Sequence, residues 1–219
     1  MIKNIVLSAS GSKFFIHFGF LKYLEKNKLL DKLKNIIGCS GGAFIGFLIT
    51  IGYNIDTIIE VFLNINYDKV KKIDSDSILN FFDNWGIDNS EGFKRMITIF
   101  LKTKLNITNI TFKELYDKTN INLVITASNL CKNTEVFFDY IKFPDMDVIQ
   151  AILMSISIPI LFTPKKYDEE IYVDGALLCS YPIEYIEINK LKHEETLGIV
   201  IIPHSYICVE EFKDEDKID

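Results

Sequence analysis

The first fifty residues alternate between short apolar runs and longer segments with helical periodicity. Residues 5–7, within a strand predicted at residues 3–7, and residues 36–37 are short apolar runs, and each is followed by small residues and then by an apolar helical segment, at residues 14–27 and 43–49. Short continuous apolar runs predict strands buried on both faces, whereas apolar residues spaced by three and four predict amphipathic helices. This order of elements predicts parallel strands joined by crossover helices.

The middle of the chain predicts a helical insertion over the sheet. Residues 66–106 hold two helical patterns, the second at residues 91–104, together with aromatic residues and lysines. We interpret these side chains either as a membrane contact or as an ordinary solvated helical pair. Asp56 is expected to cap the helix before the insertion, and Thr111 with Glu114 matches a capping box that begins a short helix after it.

The second half of the chain adds four strands and two helices. Strands are predicted at residues 122–127, 135–139, 172–173 and 197–202, and helices at residues 145–157 and 182–189. The first helix stops before Pro159, because the residue preceding a proline disfavours helical backbone, and Pro182 lies in the first turn of the second. We predict one domain over residues 1–205 and an acidic tail at residues 206–219.

Composition narrows the class of protein. Of the 219 residues, 48% are hydrophobic and 25% are charged, which is the balance of a globular protein rather than a disordered one. The formal net charge is −6 and Arg95 is the only arginine, so nucleic-acid binding is not expected. Cys39, Cys131, Cys179 and Cys208 lie far apart and are interpreted as reduced core thiols rather than disulfides or zinc ligands.

An intracellular, cytoplasmic location is expected. The apolar run at residues 1–7 is too short for a signal peptide, because small and polar residues interrupt it from Ser8 onward. No window approaches the ~20 apolar residues of a membrane span. Any membrane contact is therefore expected to be transient and peripheral, and the sequence does not define an oligomeric state.

The pentapeptide Gly38-Cys39-Ser40-Gly41-Gly42 joins the second predicted strand to the second predicted helix. The Gly-x-Ser-x-Gly spacing indicates a sharp turn that pushes the serine out at the mouth of the sheet. Gly38 and Gly42 keep side chains from colliding there. Ser40 is therefore a candidate nucleophile, and the helix after it directs free N–H groups toward a developing oxyanion. The alternative interpretation is a glycine-rich turn with an ordinary serine.

A serine nucleophile needs a base, and the sequence offers two solutions. Asp174 could act alone, because its ordinary pKa of ~3.9 leaves it ionised near neutrality without any shift. An order of serine, aspartate and then histidine, with His193 or His204, would instead give a conventional triad. His193 lies in a charged run and His204 follows the last strand, whereas His17 is expected to pack within the first helix.

The small residues between the first strand and the first helix are candidate oxyanion donors. The carboxyl ends of parallel strands meet at one edge of a sheet, so the loop at residues 8–13 and the turn at Ser40 are expected to lie close together. Backbone N–H groups of this loop could then stabilise an oxyanion, an effect worth ~10²–10³ in rate for each donor.

Four stretches of the chain together resemble the patatin-like phospholipases. They are Leu-Ser-Ala-Ser-Gly-Ser-Lys at residues 7–13, the pentapeptide at residues 38–42, Ser-Ile-Ser-Ile-Pro-Ile-Leu-Phe-Thr-Pro at residues 155–164, and Tyr-Val-Asp-Gly-Ala at residues 172–176. Their order and spacing agree with the family from about residue 2 to residue 203. Each motif alone is weak, whereas four in register are specific.

The resemblance implies a three-layer α/β fold with a mainly parallel central sheet flanked by helices. It implies a serine acyl hydrolase that cleaves fatty-acyl esters of phospholipids or related lipids through an acyl-enzyme, without histidine, metal or other cofactor. The implied site residues are the catalytic Ser40 and Asp174, oxyanion-hole backbone at Ser10, Gly11 and Ser12, and supporting Lys13, Gly38, Gly42 and Gly175. Lys13 stands at the family's basic position, where a cation can support the loop or meet a lipid phosphate.

The chain departs from the family in its glycine-rich loop. Ala9, Ser10 and Phe14 stand where the family has glycine. Backbone donors survive such changes, but a position that needs a positive φ would be strained without glycine. A catalytically inactive lipid-binding or partner-binding module therefore remains an alternative to the hydrolase, as does a Ser-His-Asp esterase.

Overall fold

Strands and helices alternate along the chain, as the apolar pattern predicts. The structure is a computed structural model that describes residues 1–64 and 86–202. The strands within these residues are β1 (Asn4–Leu7), β2 (Asn35–Cys39), β3 (Gly86–Asp88), β4 (Asn122–Asn129), β5 (Thr134–Phe138), β6 (Ile160–Phe162), β7 (Lys165–Tyr167), β8 (Glu170–Asp174) and β9 (Thr196–Ile199). The α-helices are α1 (Phe15–Lys26), α2 (Gly41–Thr50), α3 (Ile55–Asn64), α4 (Glu91–Leu105), α5 (Phe112–Thr119), α6 (Val148–Ser155) and α7 (Glu184–Ile188).

The main sheet is built around four parallel strands and has helices on both faces. β4, β2, β1 and β9 lie side by side in that order and run parallel. Because alternate residues of a strand point to opposite faces, Ile5 and Leu7 join a large core with α1 to α6, whereas Val6 joins a small core with Tyr185 and Ile186 of α7. The predicted three-layer α/β fold with a mainly parallel sheet is confirmed.

One edge of β4 is shared by two strands that meet end to end. β2 runs parallel to β4 and its last residue, Cys39, pairs with Thr126. β8 runs antiparallel and its last residue, Asp174, pairs with Ala127, the next residue along β4. β5 pairs with β4 over residues 125–129, which overlaps both, so β5 occupies one edge while β2 and β8 share the other. The carboxyl ends of β2 and β8 therefore meet at one point.

The opposite end of the four parallel strands carries a row of hydrogen-bonded side chains. Asn122, Asn35, Asn4 and Thr196 are the first residues of their strands and pair in register. Asn122 Nδ2 donates to Asn35 Oδ1 at 3.1 Å, Asn35 Nδ2 to Asn4 Oδ1 at 2.8 Å, and Asn4 Nδ2 to Thr196 Oγ1 at 3.0 Å. A one-residue slip of any strand would break this asparagine row, which therefore helps to fix the register of the sheet.

A separate two-stranded sheet pairs β3 with β6, next to the proline-containing segment. Its residue Ile160 has a φ of 74°. A β-branched residue rarely adopts a positive φ, and holding one there costs about 1–3 kcal/mol. The Ile160 side chain is 63% exposed, so burial in the core does not offset that strain.

Most predicted elements are present with shifted ends. The helix predicted at residues 145–157 is α6, whose N-cap is Asp147, and it ends before Pro159 as predicted. The strand predicted at residues 197–202 is β9, which ends at Ile199. β3, β6 and β7 were not predicted, because three-residue strands are too short to show an alternating pattern.

One of the two predicted helix caps is wrong and the other is confirmed. Asn54 Oδ1 accepts from the Thr57 backbone N–H at 2.8 Å, so the residue before α3 caps it, and Asp56 lies within its first turn. At α5 the capping box is complete. Thr111 Oγ1 accepts from the Glu114 N–H at 3.2 Å, and Glu114 Oε2 accepts from the Thr111 N–H at 2.9 Å.

The predicted insertion and tail fall only partly within the described chain. Helix α4 agrees with the pattern at residues 91–104. Residues 66–85, with the other helical pattern and its lysines, lie outside the described residues, as does the predicted tail at 206–219, so the domain bounds stay a prediction. Within residues 1–64 and 86–202, no helix combines the length and the apolar character needed to cross a membrane.

Replacing Asn35 should destabilise the fold. Asn35→Ala leaves Asn4 Oδ1 and one Nδ2 hydrogen of Asn122 without their partners, and both of those residues are buried. Since an unpaired buried polar group costs about 1–3 kcal/mol, we expect the free energy of unfolding, measured by urea denaturation, to fall by at least that amount. The matched control is Asn27→Ala, which removes an exposed hydrogen bond to a helix carbonyl. Equal losses in the two variants would contradict a role for the asparagine row.

Candidate active site

The chain turns sharply between β2 and α2, with Ser40 at the apex. Ser40 has a φ of 51° and a ψ of −120°, a conformation that residues other than glycine rarely adopt. The glycines on either side allow close backbone contacts. A Cβ atom at Gly38 would lie 2.6 Å from the Ala43 backbone, and one at Gly42 would lie 2.5 Å from the Leu7 carbonyl oxygen. Both positions therefore require glycine for close packing rather than for a positive φ.

Ser40 and Asp174 are hydrogen-bonded directly to each other. Ser40 Oγ donates to Asp174 Oδ2 at 2.7 Å, and the Ala176 backbone N–H donates to Asp174 Oδ1 at 2.8 Å. The contact follows from the sheet, because the two residues lie at the meeting ends of β2 and β8. Gly175 allows the turn after Asp174 to approach β4, since a Cβ atom there would lie 2.5 Å from the Thr126 carbonyl oxygen.

The carboxyl group of Asp174 is not in an ordinary aqueous environment. Ser40 and Asp174 are only 4% and 3% exposed. Burial raises the pKa of Asp174 above its ordinary value, and the hydrogen bonds from Ser40 and Ala176 offset part of that rise. The ordinary aspartate pKa that the sequence argument used therefore does not describe Asp174 in the folded chain. Sequence alone does not reveal this, because the rise depends on how completely the folded chain excludes water.

The segment at the end of α6 contacts the backbone of both residues. Ser155 Oγ accepts from the Ser40 N–H at 2.8 Å and donates to the Thr126 carbonyl oxygen at 2.6 Å. The Ser157 carbonyl oxygen accepts from the Asp174 N–H at 2.8 Å. The Ser-Ile-Ser-Ile-Pro motif marks this segment in the sequence, but only the structure reveals these contacts. The N–H group of Ser40 is thus already paired and is not free to bind an oxyanion.

The loop after β1 brings two of the three expected oxyanion residues to Ser40. Gly11 and Ser12 line one cavity together with Ser40, and they begin the 3₁₀ turn Gly11–Lys13, so their N–H groups have no acceptor within that turn. Ser10 does not line this cavity. It lines an open groove that shares Gly11 and Ser12 with the cavity and that also includes the exposed Lys13.

Backbone conformation shows whether the residues that replace the family's glycines in this loop are strained. Gly11 has a φ of 48° and is the position in the loop that requires glycine. Ala9, Ser10 and Phe14 have negative φ, at −142° for Ser10 and −55° for Phe14. The strain that non-glycine residues could have introduced at these three positions is therefore absent.

An apolar cavity of about 400 Å³ opens at Ser40. Its walls are mainly aromatic and aliphatic, and they include Phe14, Phe44, Phe62, Phe93 and Phe162. Lining rings from different parts of the chain contact one another, such as Phe14 with Phe62 at 5.1 Å and Phe93 with Phe162 at 5.6 Å between centroids. Such a volume and lining suit a small or elongated apolar group.

Among the described residues, no imidazole lies between the hydrogen-bonded serine and aspartate. His17 is buried in α1, and its Nε2 lies 3.1 Å from the Ser8 carbonyl oxygen; burial lowers its pKa. His193 is exposed in a 3₁₀ turn before β9. His204, the other histidine considered for a triad, lies outside the described residues.

The cysteines in the described chain are free thiols in different surroundings. Cys39 is buried directly before Ser40, and burial raises its pKa well above the ordinary value. Burial likewise raises the pKa of Cys179 to about 12. Cys131 is exposed, so its assignment to the core is wrong, and Cys208 lies outside the described residues. Across residues 1–64 and 86–202, no three histidine, cysteine or acidic side chains are grouped to hold a metal ion.

Comparison with known families identifies the fold family. The family described as "Patatin-like phospholipase" matches residues 5–186. This chain belongs to the patatin-like phospholipase family. The resemblance drawn from the four motifs is thus confirmed, and the matched range includes both Ser40 and Asp174.

Two viral proteins are among the relatives of this patatin-like chain. It is 30% identical over 212 residues to "Probable lipid hydrolase 463L" of Invertebrate iridescent virus 6, covering 93% of this chain and 71% of the relative. It is 29% identical over 205 residues to "Uncharacterized protein R571" of Acanthamoeba polyphaga mimivirus, covering 93% of this chain and 67% of the relative.

Two bacterial proteins of known structure share the fold. VipD from Legionella pneumophila superposes with a TM-score of 0.65 at 19% identity over 90% of this chain. ExoU, in the ExoU-SpcU complex of Pseudomonas aeruginosa, gives a TM-score of 0.55 at 19% identity over 93%. The patatin-like chain spans about half the length of each, 49% and 48%. At these identities the likeness shows the fold alone.

Proposed function

We propose that this patatin-like protein is a lipid acyl hydrolase that uses Ser40 as nucleophile and Asp174 as general base. The observation that carries the proposal is the 2.7 Å hydrogen bond from Ser40 Oγ to a buried carboxylate at an apolar cavity. A nucleophile and a base within hydrogen-bond reach are the minimum arrangement for acyl transfer. Family membership and the printed name of the iridescent-virus relative support a lipid substrate.

The reaction proceeds in two steps. Ser40 Oγ attacks the ester carbonyl carbon while Asp174 Oδ2 takes the hydroxyl proton, and the alcohol leaves with that proton as the acyl-enzyme forms. Asp174 then takes a proton from water, the resulting hydroxide equivalent attacks the acyl carbon, and Ser40 leaves reprotonated. A carboxylate with a raised pKa is a stronger base than an ordinary one once it is ionised, which favours the first proton transfer.

The oxyanion of each tetrahedral intermediate is stabilised by backbone amides of the N-terminal loop. Gly11 and Ser12 are the better candidates of the three expected residues, because they line the cavity with Ser40 whereas Ser10 does not. The Ser40 amide is occupied by Ser155, so it does not share this task. Each correctly placed donor contributes about 10²–10³ in rate.

The substrate is a fatty-acyl ester of a phospholipid or a related lipid, reached at a membrane surface. Its acyl chain occupies the apolar cavity, and its ester carbonyl lies between Ser40 and the loop amides. Lys13 lies exposed on the same loop, where its cation can meet a phosphate. The chemistry needs no metal and no other cofactor, since proton transfer and charge stabilisation come from the chain itself.

An inactive binding module is the second candidate function. The observation that favours it is Ser10, at a family glycine position, whose hydroxyl is buried without a hydrogen-bond partner in the described structure. A distorted loop would misplace the amides while leaving the cavity intact. A Ser-His-Asp esterase has less support, because the serine hydroxyl donates directly to the carboxylate.

Removing either member of the dyad should abolish catalysis. Ser40→Ala and Asp174→Asn should each lower hydrolysis of a p-nitrophenyl butyrate ester by about 10³-fold or more, because the nucleophile or its proton acceptor is lost. Ser40→Ala should also abolish covalent labelling by a fluorophosphonate, read by gel fluorescence. Persistent labelling in that variant would discard the assignment.

The control for this experiment is His193→Ala, which alters an exposed imidazole outside the site and should leave activity unchanged. If His204→Ala were as damaging as Asp174→Asn, the triad would replace the dyad. If wild-type protein bound lipid vesicles but neither hydrolysed the ester nor took the label, the inactive module would be favoured.

The pH dependence of activity should report the buried carboxylate. Asp174 must be ionised to accept a proton, and burial raises its pKa, so kcat/KM should fall on the acid side at a pH above about 3.9, the ordinary aspartate pKa. The rate of fluorophosphonate labelling should show the same acid limb. An acid limb at or below the ordinary value in both assays would contradict Asp174 as a desolvated base.

A further inference from the structure

We propose that exposed apolar side chains around the mouth of the cavity form a surface that docks on a phospholipid bilayer. We call this surface the apolar rim, and it consists of Phe15, Ile16, Leu63, Ile160 and Leu161. Their exposed fractions range from 43% to 75%, although each is a large apolar residue. The inference deepens the proposed function and rests on it, because it names the chain's own residues that would bring the cavity to its lipid.

Three separate elements place these residues beside the cavity. Phe15 of α1 lines the cavity and is itself 43% exposed. Leu63 follows the lining residue Phe62 at the end of α3. Ile160 and Leu161 are more than 45% exposed and lie between the lining residues at positions 158 and 162. The exposed side chains thus come from different parts of the chain to one opening.

The conformation of Ile160 is independent support. Its φ of 74° strains a β-branched residue, yet the side chain is directed to solvent rather than into the core. Backbone strain of this kind concentrates at functional positions. Contact with a bilayer would account for the exposure of this side chain.

Lipid is the occupant that the geometry favours over a protein partner. The rim meets the apolar cavity of about 400 Å³ at Phe15, which lines it, and each of the other rim residues lies within two positions in sequence of a lining residue. An acyl chain leaving a bilayer could pass from the membrane to the cavity without crossing water only if the two are contiguous. The rim supplies that continuity, because burying its side chains among lipid tails removes apolar area from water.

Vesicle binding tests the rim separately from catalysis. In a Ser40→Ala background, which leaves the lipid intact, sedimentation with large unilamellar phosphatidylcholine vesicles measures the partition coefficient. Ile160→Ser combined with Leu161→Ser should lower it by about tenfold or more, because two apolar side chains no longer enter the bilayer. With Ser40 present, the same pair should slow hydrolysis of vesicle phospholipid and leave hydrolysis of p-nitrophenyl butyrate unchanged.

The matched control is Ile141→Ser combined with Ile188→Ser. These isoleucines are 65% and 57% exposed, close to the rim pair, but they lie near Asp139 and Tyr185 at the end of the sheet opposite to Ser40. Binding should change less than about twofold in this control. The proposal would be overturned if the rim substitutions and the control substitutions lowered vesicle binding equally, or if the rim substitutions did not lower it. A wild-type dimer that the rim substitutions dissociate would also overturn it, because the surface would then join two copies of the chain.

Failure of the proposed function would look different. Wild-type protein without esterase activity would count against the catalytic assignment, while the vesicle partition of the Ser40→Ala proteins would still decide whether the rim binds lipid.

A different observation concerns the nucleophile, and from it we infer that Ser155 is a positioning residue for Ser40. Its hydroxyl is fully buried and bridges two backbones, accepting from the Ser40 N–H at 2.8 Å and donating to the Thr126 carbonyl at 2.6 Å. Ser40 has a strained φ of 51°, which persists only where surrounding contacts fix it. Ser155 thereby ties the elbow to β4, the strand that also pairs with Asp174.

Kinetics can separate this role from a general structural one. Ser155→Ala should lower kcat about tenfold or more with KM changed less than about twofold, since the cavity is intact while the nucleophile is less well aligned. Fluorophosphonate labelling should slow by a similar factor.

The matched control for Ser155 is Ser157→Ala, two residues along the same segment and equally buried. The Ser157 hydroxyl donates only to the Leu153 carbonyl, and the contact with Asp174 uses the Ser157 backbone, which the substitution retains. Ser157→Ala should therefore keep kcat. Equal kcat values in the two variants would overturn the inference. So would a Ser155→Ala protein whose activity falls only above its measured melting temperature, because the loss would then reflect unfolding.

Discussion

The site depends on a constraint in the sheet, namely that one edge of β4 accommodates β2 and β8 end to end. One strand is parallel to β4 and the other antiparallel, so both arrive with their carboxyl ends at adjacent positions, Thr126 and Ala127. Ser40 and Asp174, 134 residues apart in sequence, are thereby brought within 2.7 Å by backbone pairing. If flexible loops alone held this contact, ordering them would cost more conformational entropy.

The position of Ser40 and Asp174 inside the sheet, where β2 and β8 meet, also determines the chemistry of the two side chains. Both side chains are nearly excluded from water, so the carboxylate loses hydration and its pKa rises, while the hydrogen bonds from Ser40 and Ala176 limit the rise. The same packing explains the motif glycines, because Gly38, Gly42 and Gly175 lie where another backbone approaches too closely for a Cβ atom. The raised pKa of Asp174 and the requirement for glycine at these positions thus have one cause, which is the close packing around the end of β2.

The sequence predicts the elements whose signal is local and repeated. Apolar runs predict the parallel strands, and a four-residue box predicts the start of α5. Contacts set by tertiary structure are not predictable in this way. Neither the Ser155 bridge nor the raised pKa of Asp174 has a periodic pattern, and the asparagine row is visible only once Asn4, Asn35 and Asn122 are known to lie in register. The Asp56 cap is wrong because two polar residues close in sequence, Asn54 and Asp56, both fit the pattern, and the helix begins between them at Ile55.

The glycine-rich loop shows why residue identity is a weaker guide than conformation. Judged by sequence, three missing glycines put the loop amides in doubt. The structure has one residue there with a positive φ, and that residue, Gly11, is a glycine. The amide donors belong to the backbone, and the 3₁₀ turn sets the direction of their N–H groups. Substitutions at residues with negative φ therefore change side-chain contacts but not that direction. The loop therefore retains the geometric requirement of a backbone oxyanion site despite its altered composition.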